Sequence, residues 1–502
     1  MRLFRYLLLL LTMQSLLFSN QLFAQKSINP VISGDFADPS IIKVSNQYYA
    51  VGTSSEWAPH FPIFTSADLL NWKQTGYVFD QAPAWTTGSF WAPEYDYHDN
   101  TYFIYYTARR KKDLVSCIGV ATSKYPDRGF VDHGVIIDHG KEAIDGFVFL
   151  DKGVRYITFK AYGLDNRPIE ILGFKLAKDG LKTEGEPFSM LKDDQRIGLE
   201  GQSILKRDGF YYLFYSSGNC CGAQCDYNVR VARSKSFAGP YEQYPGNPLL
   251  MENAFWKCSG HGTFVTAKNE KCYYLYHAYN KETTVFAGRQ GMLAELLWPE
   301  KNGWPVFKEQ SGPVINSDLK LTFKSPLVDK GWQWDFRNST TQVSQRDGKI
   351  HLSGKINDNL TGLALTRRPI SSVFDVETIV FNSNKALKGL TYYGDANAAL
   401  GVGVTGNTVE FWTVQAKERK VHGSAQLATK TPVALKMKVL PDKSIQVFFK
   451  QGSKDWESLK TEDKVTTDFL PQWDRSPRIG LHFKGLPTEE AVFSSFEIKY
   501  KL

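Results

Sequence analysis

From residue 38 to about residue 310 the chain repeats one unit five times, and no other feature limits its fold so strongly. Each unit opens on a polar or aromatic residue beside Gly or Pro and runs into an apolar strand. An aromatic-rich strand follows, then a polar strand and a turn. The openings are Asp38-Pro-Ser-Ile-Ile, Trp91-Ala-Pro-Glu-Tyr, Asp145-Gly-Phe-Val-Phe, Glu200-Gly-Gln-Ser-Ile and His261-Gly-Thr-Phe-Val, spaced 53, 54, 55 and 61 residues apart by their numbers. Second strands align as Tyr48-Tyr-Ala-Val, Tyr102-Phe-Ile-Tyr-Tyr, Arg155-Tyr-Ile-Thr-Phe, Tyr211-Tyr-Leu-Phe-Tyr and Tyr273-Tyr-Leu-Tyr-His. Short strands in fours at a period of roughly 50 residues predict a β-propeller, and five units predict five blades, here over residues 28–315. The first strand of a blade lines the central channel. Asp38, Trp91, Asp145, Glu200 and His261 are therefore expected in one ring at one end of it.

Past Pro313 the repeat stops. Segments such as Val409-Glu-Phe-Trp-Thr and Phe496-Glu-Ile-Lys-Tyr alternate apolar and polar residues between Gly, Asn and Asp turns, which predicts a β-sandwich over residues 320–502. The connection at 316–320 has no Gly/Ser-rich or Pro-rich run that would let the two parts swing freely. Trp332 and Trp334 follow it closely and are expected to anchor the sandwich on the propeller.

Composition narrows the function. The formal net charge is +8, but Lys and Arg are scattered along the chain, which argues against a nucleic-acid partner. Arg2 and Arg5 precede a short apolar stretch from Leu7, and Phe23-Ala-Gln offers cleavage after Ala24. Residues 1–24 thus read as a signal peptide, too short to span a membrane, so the protein is expected to be secreted or periplasmic and not membrane-inserted. That compartment permits disulfides among Cys117, Cys220, Cys221, Cys225, Cys258 and Cys272. Cys258 and Cys272 could close one hairpin; the full connectivity stays open.

Three carboxylates in one narrow channel repel one another, and burial disfavours their charged forms, so at least one should hold its proton. Glycoside hydrolysis needs that split: one carboxylic acid protonates the leaving oxygen and one carboxylate activates water or attacks the sugar. Taken singly, Asp38 before Pro39 and Asp145 before Gly146 read as turn residues, Trp91 as core and His261 as an ordinary polar residue. Their equivalent places in the repeat favour the chemical reading.

At these residues the chain resembles glycoside hydrolase family 43. The motifs are Phe36-Ala-Asp-Pro-Ser, Trp91-Ala-Pro-Glu, Ile144-Asp-Gly-Phe-Val-Phe, Leu199-Glu-Gly, Ser259-Gly-His-Gly and Gly288-Arg. The resemblance implies that Asp38 is the general base, Asp145 the residue that tunes and orients the acid, and Glu200 the general acid, with inversion at the anomeric carbon. It implies substrate contacts for Trp91, Arg289, Phe147 and His261. No cofactor is required, although a structural calcium reached from His261 through water is an expectation of the same kind. The Gly331-Trp-Gln-Trp-Asp-Phe-Arg segment resembles the start of the concanavalin A-like sandwich of family β-xylosidases and arabinofuranosidases, which favours exo action. The expected substrate is α-L-arabinofuranose or β-D-xylose at the end of arabinan, arabinoxylan or a xylo-oligosaccharide. The competing readings are a silent glycan-binding propeller and a retaining fructan-type hydrolase.

Overall fold

The computed structural model describes residues 27–165, 167–300, 303–314, 318–357, 359–428, 432–461 and 463–501. The signal-peptide expectation falls outside these residues, as does part of the 316–320 connection. Five four-stranded antiparallel sheets follow one another, with inner strands at Ser40–Val44, Thr86–His98, Glu142–Asp151, Glu200–Arg207 and Trp256–Thr266. Each inner strand touches the next, and the last touches the first, so the five blades close into a ring. Ile32 bridges Gly291 of the last blade and ties the start of the described chain to that closure.

The aromatic second strands explain why the blades pack. Thr101–Arg110 and Phe210–Ser217 are buried along nearly their whole length, on both faces, because each lies between two neighbouring blades. A strand buried on both sides reads as a continuous apolar run, and that is what Tyr-Phe-Ile-Tyr-Tyr and Tyr-Tyr-Leu-Phe-Tyr supply. Outer strands such as Thr183–Lys192 are more exposed and more polar, with only Met190 and Leu191 buried in this one.

Beyond residue 318 two sheets stack into a sandwich. One is built round Ala491–Tyr500 and Phe374–Phe381, the other round Arg478–Lys484 and Leu387–Asp395. Here the alternation survives: Lys349–Ile356 buries every second residue towards a core that includes Leu352, Val376, Leu435 and Phe496.

The two parts exchange aromatic side chains. Trp334 and Asp335 pair with Ala58 and Trp57 of blade one as a small antiparallel ladder. Trp57 enters the sandwich, where it meets Tyr393 at 5.8 Å and carries the Arg478 guanidinium 4.3 Å from its ring. Phe336 enters the propeller against His60 and Phe90, with ring centroids at 4.8 and 5.7 Å. Trp334 thus lies at the interface as expected, whereas Trp332 packs on Phe496 in the sandwich core. Trp57 is fully buried at this junction, which contributes about 2–3 kcal/mol, and the partly buried Trp334 and Phe336 add less each.

Disulfides form, but Cys258 and Cys272 do not pair with each other. Cys258 bonds Cys225, and Cys220 bonds its own neighbour Cys221, while Cys117 and Cys272 stay reduced. Cys272 pairs in register with Thr266, eight positions along the strand from Cys258. At about 3.3 Å per residue that separation is roughly 26 Å, far beyond the reach of a disulfide.

Candidate active site

Every inner strand carries the same irregularity. Ile144 and Phe147 face Lys160 and Thr158, so three steps on one strand match two on the other. The same extra residue lies between Trp91 and Glu94, Glu200 and Ser203, and Gly260 and Thr263. In blade one Thr53 N–H bonds Ala37 O and Ser40 pairs with Val51, which gives the same count. In each bulge one residue takes positive φ: Asp38 at 50°, Ala92 at 43°, Asp145 at 59°, Gly201 at 57° and His261 at 34°. Bulges of this kind re-aim a strand beside a site. They also correct the register of the repeat: Ala92 and Gly201, not Trp91 and Glu200, are equivalent to Asp38, Asp145 and His261. Trp91 and Glu200 stand one residue earlier and still reach the same cavity.

The strained backbone is held from the second strands. The Asp38 N–H bonds His277 Nδ1 at 3.1 Å, Ala92 N–H bonds Thr53 Oγ1 at 2.9 Å, Asp145 N–H bonds Thr107 Oγ1 at 3.0 Å and His261 N–H bonds Ser216 Oγ at 2.8 Å. Each acceptor belongs to the blade before. For Gly201 the corresponding second-strand residue is Lys160, which cannot accept. Its N–H turns instead to Asp145 Oδ2 at 3.0 Å, and Lys160 Nζ reaches Glu200 Oε2 at 2.6 Å. Gly201 has no room for a side chain, because a Cβ would stand 2.7 Å from the His261 ring.

Each carboxylate has a distinct setting. Burial alone would raise Asp38, but the Arg289 guanidinium 3.3 Å away and the Thr53 hydroxyl at 2.6 Å outweigh it and hold the carboxyl at about 2. His277 also lies 3.3 Å from Asp38, yet burial drives its pKa to about 3, so its ring is neutral and serves as an acceptor. Asp145 is pushed up to about 6, chiefly by burial, with the charge of Glu200 adding to it. His261 Nδ1 lies between the two aspartates, 3.7 Å from Asp38 and 3.8 Å from Asp145. Burial would raise Glu200 too, but Lys160 and the Tyr227 hydroxyl, 2.8 Å from Oε1, draw it below the ordinary carboxylate range. In the free protein the raised carboxyl is therefore Asp145, the reverse of the simple expectation for a glutamic acid.

These groups line a cavity of about 290 Å³ with Trp91, Arg289, Arg109 and Tyr162. The sandwich closes one side of it. Asp474 accepts from Trp91 Nε1 at 3.1 Å through Oδ2, and its backbone oxygen accepts from Arg289 Nη2 at 2.9 Å. Arg289 is fixed further by its own N–H, which bonds Asp35 Oδ1 at 3.1 Å. Gly288 before it has φ +72° and lies so close to Asp35 that a Cβ would meet it at 2.5 Å, so the turn admits only glycine.

Asp38, Trp91, Asp145, Glu200, His261 and Arg289 thus come together. Phe147 does not: it packs against the blade core that contains Ile171, Leu199 and Leu213, one bulge away from the cavity wall. Lys160, Tyr227, Trp473 and Asp474 escaped sequence reasoning, and Cys220 and Cys221 were disulfide candidates with no expected place at the cavity. Only Lys160 carried a signal, as the exception in the second-strand series. Among the described residues no group of three or more His, Cys, Asp or Glu side chains is arranged to hold a metal ion. A calcium ion takes 6–8 oxygen ligands, so a calcium at His261 would be carried almost wholly on water, and no step below uses one.

The chain is similar to known proteins over both of its parts. The family model described as Glycosyl hydrolases family 43 matches residues 27–305. A non-reducing end alpha-L-arabinofuranosidase of Bacteroides ovatus is 28% identical over 69% of this chain and 68% of its own. A xylan 1,3-beta-xylosidase of a Vibrio species is 26% identical over 65% of this chain and 68% of its own. Among solved structures, xylan beta-1,4-xylosidase from Bacillus halodurans C-125 superposes with a TM-score of 0.83 at 21% identity, over 95% of this chain and 100% of that one, which speaks for the fold.

Proposed function

The chain belongs to glycosyl hydrolase family 43 and is a glycoside hydrolase acting on O-glycosyl bonds, and from that premise we infer that it is an inverting exo-enzyme releasing α-L-arabinofuranose or β-D-xylose from plant cell-wall glycans. The observation that carries the reading is the cavity of about 290 Å³ that gathers three carboxylates, Arg289 and Trp91 round it and opens to solvent at one mouth. A wall supplied by the sandwich through Asp474, which bonds Trp91 and Arg289, makes it a pocket instead of a cleft, which supports action at chain ends. Relatives carry both arabinofuranosidase and xylosidase names, so the sugar is drawn from those two. Family membership speaks against the fructan-type alternative, and the intact carboxylate set speaks against a silent binding propeller. The signal-peptide reading of residues 1–24 makes secretion part of the proposal.

Asp38 is ionised throughout neutral pH, so it is fit to take a proton from water. The water oxygen then attacks the anomeric carbon from the face opposite the leaving group. The glycosidic C–O bond breaks with its electron pair on the leaving oxygen, which accepts a proton from Glu200. Asp145, raised to about 6 by burial with the charge of Glu200 adding to it, holds a proton at mildly acidic pH, and Glu200 delivers that proton after taking it over. Water's proton ends on Asp38, so the site returns to its starting charge after one exchange with solvent. Trp91 offers its ring to the sugar face and Arg289 its donors to a hydroxyl.

The test is proton NMR of the first product from arabinofuranosyl and xylosyl substrates. Inverted product from one or both sugars is expected. Retention of configuration, or no turnover of either sugar, overturns the reading.

A further inference from the structure

Trp473 is 63% exposed although it lines the cavity, and its neighbours hold it there. Asp474 is tied to Trp91 and Arg289, and Ser476 N–H bonds Asp35 Oδ2 at 3.3 Å. The indole is therefore kept at the mouth by a fixed backbone, with no core to fill.

Facing it is the loop of residues 219–226, which carries the bond between Cys220 and Cys221. Three further ties fix this loop: Cys225 to Cys258, Asn219 N–H to Asp226 Oδ1 at 2.6 Å, and Lys257 Nζ to Ala223 O at 2.7 Å. Gly222 lies against the indole, where a Cβ would stand 3.4 Å from Trp473 Cδ1. A disulfide between neighbours is a short apolar plate with no strong donor, and beside an indole it makes the kind of surface on which the C–H face of a sugar ring settles. The loop runs directly into Tyr227, whose hydroxyl bonds Glu200 Oε1. The plate is thus on the Glu200 side of the cavity. Tyr162, 44% exposed, lines the same mouth from the Lys160 side.

We propose that Trp473 and the Cys220–Cys221 disulfide form the subsite for the sugar ring on the leaving side of the cleaved bond. This rests on the reading of Glu200 as the acid, which puts the departing oxygen on that side. The ligand is the second ring of a xylo- or arabino-oligosaccharide.

The experiment compares Trp473→Ala with the parent full-length protein on a disaccharide and on the matching glycosyl fluoride, whose leaving group is a single atom. Stacking of this kind is worth up to about tenfold, so kcat/KM on the disaccharide should fall about tenfold, mostly through KM, with the fluoride changed by no more than about threefold. Cys220→Ala with Cys221→Ala should act in the same direction. Equal losses on both substrates, or an unchanged disaccharide KM, overturn the subsite. Glu200→Ala on the same pair separates the premise: it should lower kcat on the disaccharide and spare the fluoride. Equal damage to both removes the acid reading, while the Trp473 comparison still decides the subsite.

Discussion

Replacing Lys160 by Met removes the cation that touches Glu200 and keeps most of the side-chain volume. At the observed 2.6 Å, Coulomb's law with an effective dielectric of about 20 gives an attraction of about 6 kcal/mol before desolvation is subtracted. Opposite charges at such range move a carboxyl by about 1–3 pH units, each worth about 1.4 kcal/mol. The groups left facing Glu200 are Tyr227, Asp145 and His261, and burial then dominates. Its pKa should rise above the ordinary carboxylate value. With Asp145 near 6 in the parent protein, the alkaline limb of kcat/KM is expected to begin near pH 6 and to move upward by about 1–3 units in Lys160→Met. The stability effect changes sign with it. In the parent, a lowered Glu200 pKa adds stability above the ordinary carboxylate value, and that stability is lost as pH falls through the folded value. In the variant a raised pKa adds stability at low pH that is lost as pH rises through the folded value, so the Tm deficit should be larger at pH 8 than at pH 5. Lys160→Gln serves as a second variant. An alkaline limb that stays in place in both variants would refute the assignment of that limb to the Asp145–Glu200 proton.

Asp38→Asn should lower hydrolysis by about a thousandfold while product-sugar affinity by calorimetry stays within about threefold, because the amide keeps its shape but takes no proton from water. Asp474→Ala removes the acceptor of Trp91 Nε1 but leaves the backbone contact to Arg289; a rise in KM of about tenfold with kcat little changed is expected, and an unchanged KM would show that Trp91 needs no such support. A chain cut before residue 319 exposes Trp57, His60 and Phe90 where Phe336 and the sandwich now cover them. It should be poorly soluble and nearly inactive, and a soluble, fully active propeller would show the junction to be dispensable.

The five-bladed architecture was readable because each blade repeats one strand pattern, and periodicity survives when individual propensities do not. The ring of site residues followed from the same period, with a slip of one residue in blades two and four. Asp38, Asp145 and His261 occupy the bulge itself, while Trp91 and Glu200 precede it. A bulge adds one residue to a strand without marking it in composition, so the slip could not be seen. Phe147 was misplaced for the same cause: it follows the bulge of blade three and faces the core. Asp474 lies 383 residues from Trp91, and nothing local announces such a contact. The pairing of Cys225 with Cys258 was hidden likewise, since loop closure between blades leaves no spacing rule.

What the repeat could have shown is where it breaks. At the position after which each second strand meets the bulge of its own blade stand Thr53, Thr107, Lys160, Ser216 and His277. Four of them accept a hydrogen bond from the next blade's strained N–H. A lysine cannot, so a purely structural repeat would disfavour it there, and a buried cation is costly unless paired. Its presence is accounted for by Glu200, the carboxyl it meets, and by Asp145, which takes over the vacated acceptor role for Gly201. That substitution links two carboxylates of adjacent blades, one by charge and one by hydrogen bond. The place where local consistency fails is the place where the site's proton is managed.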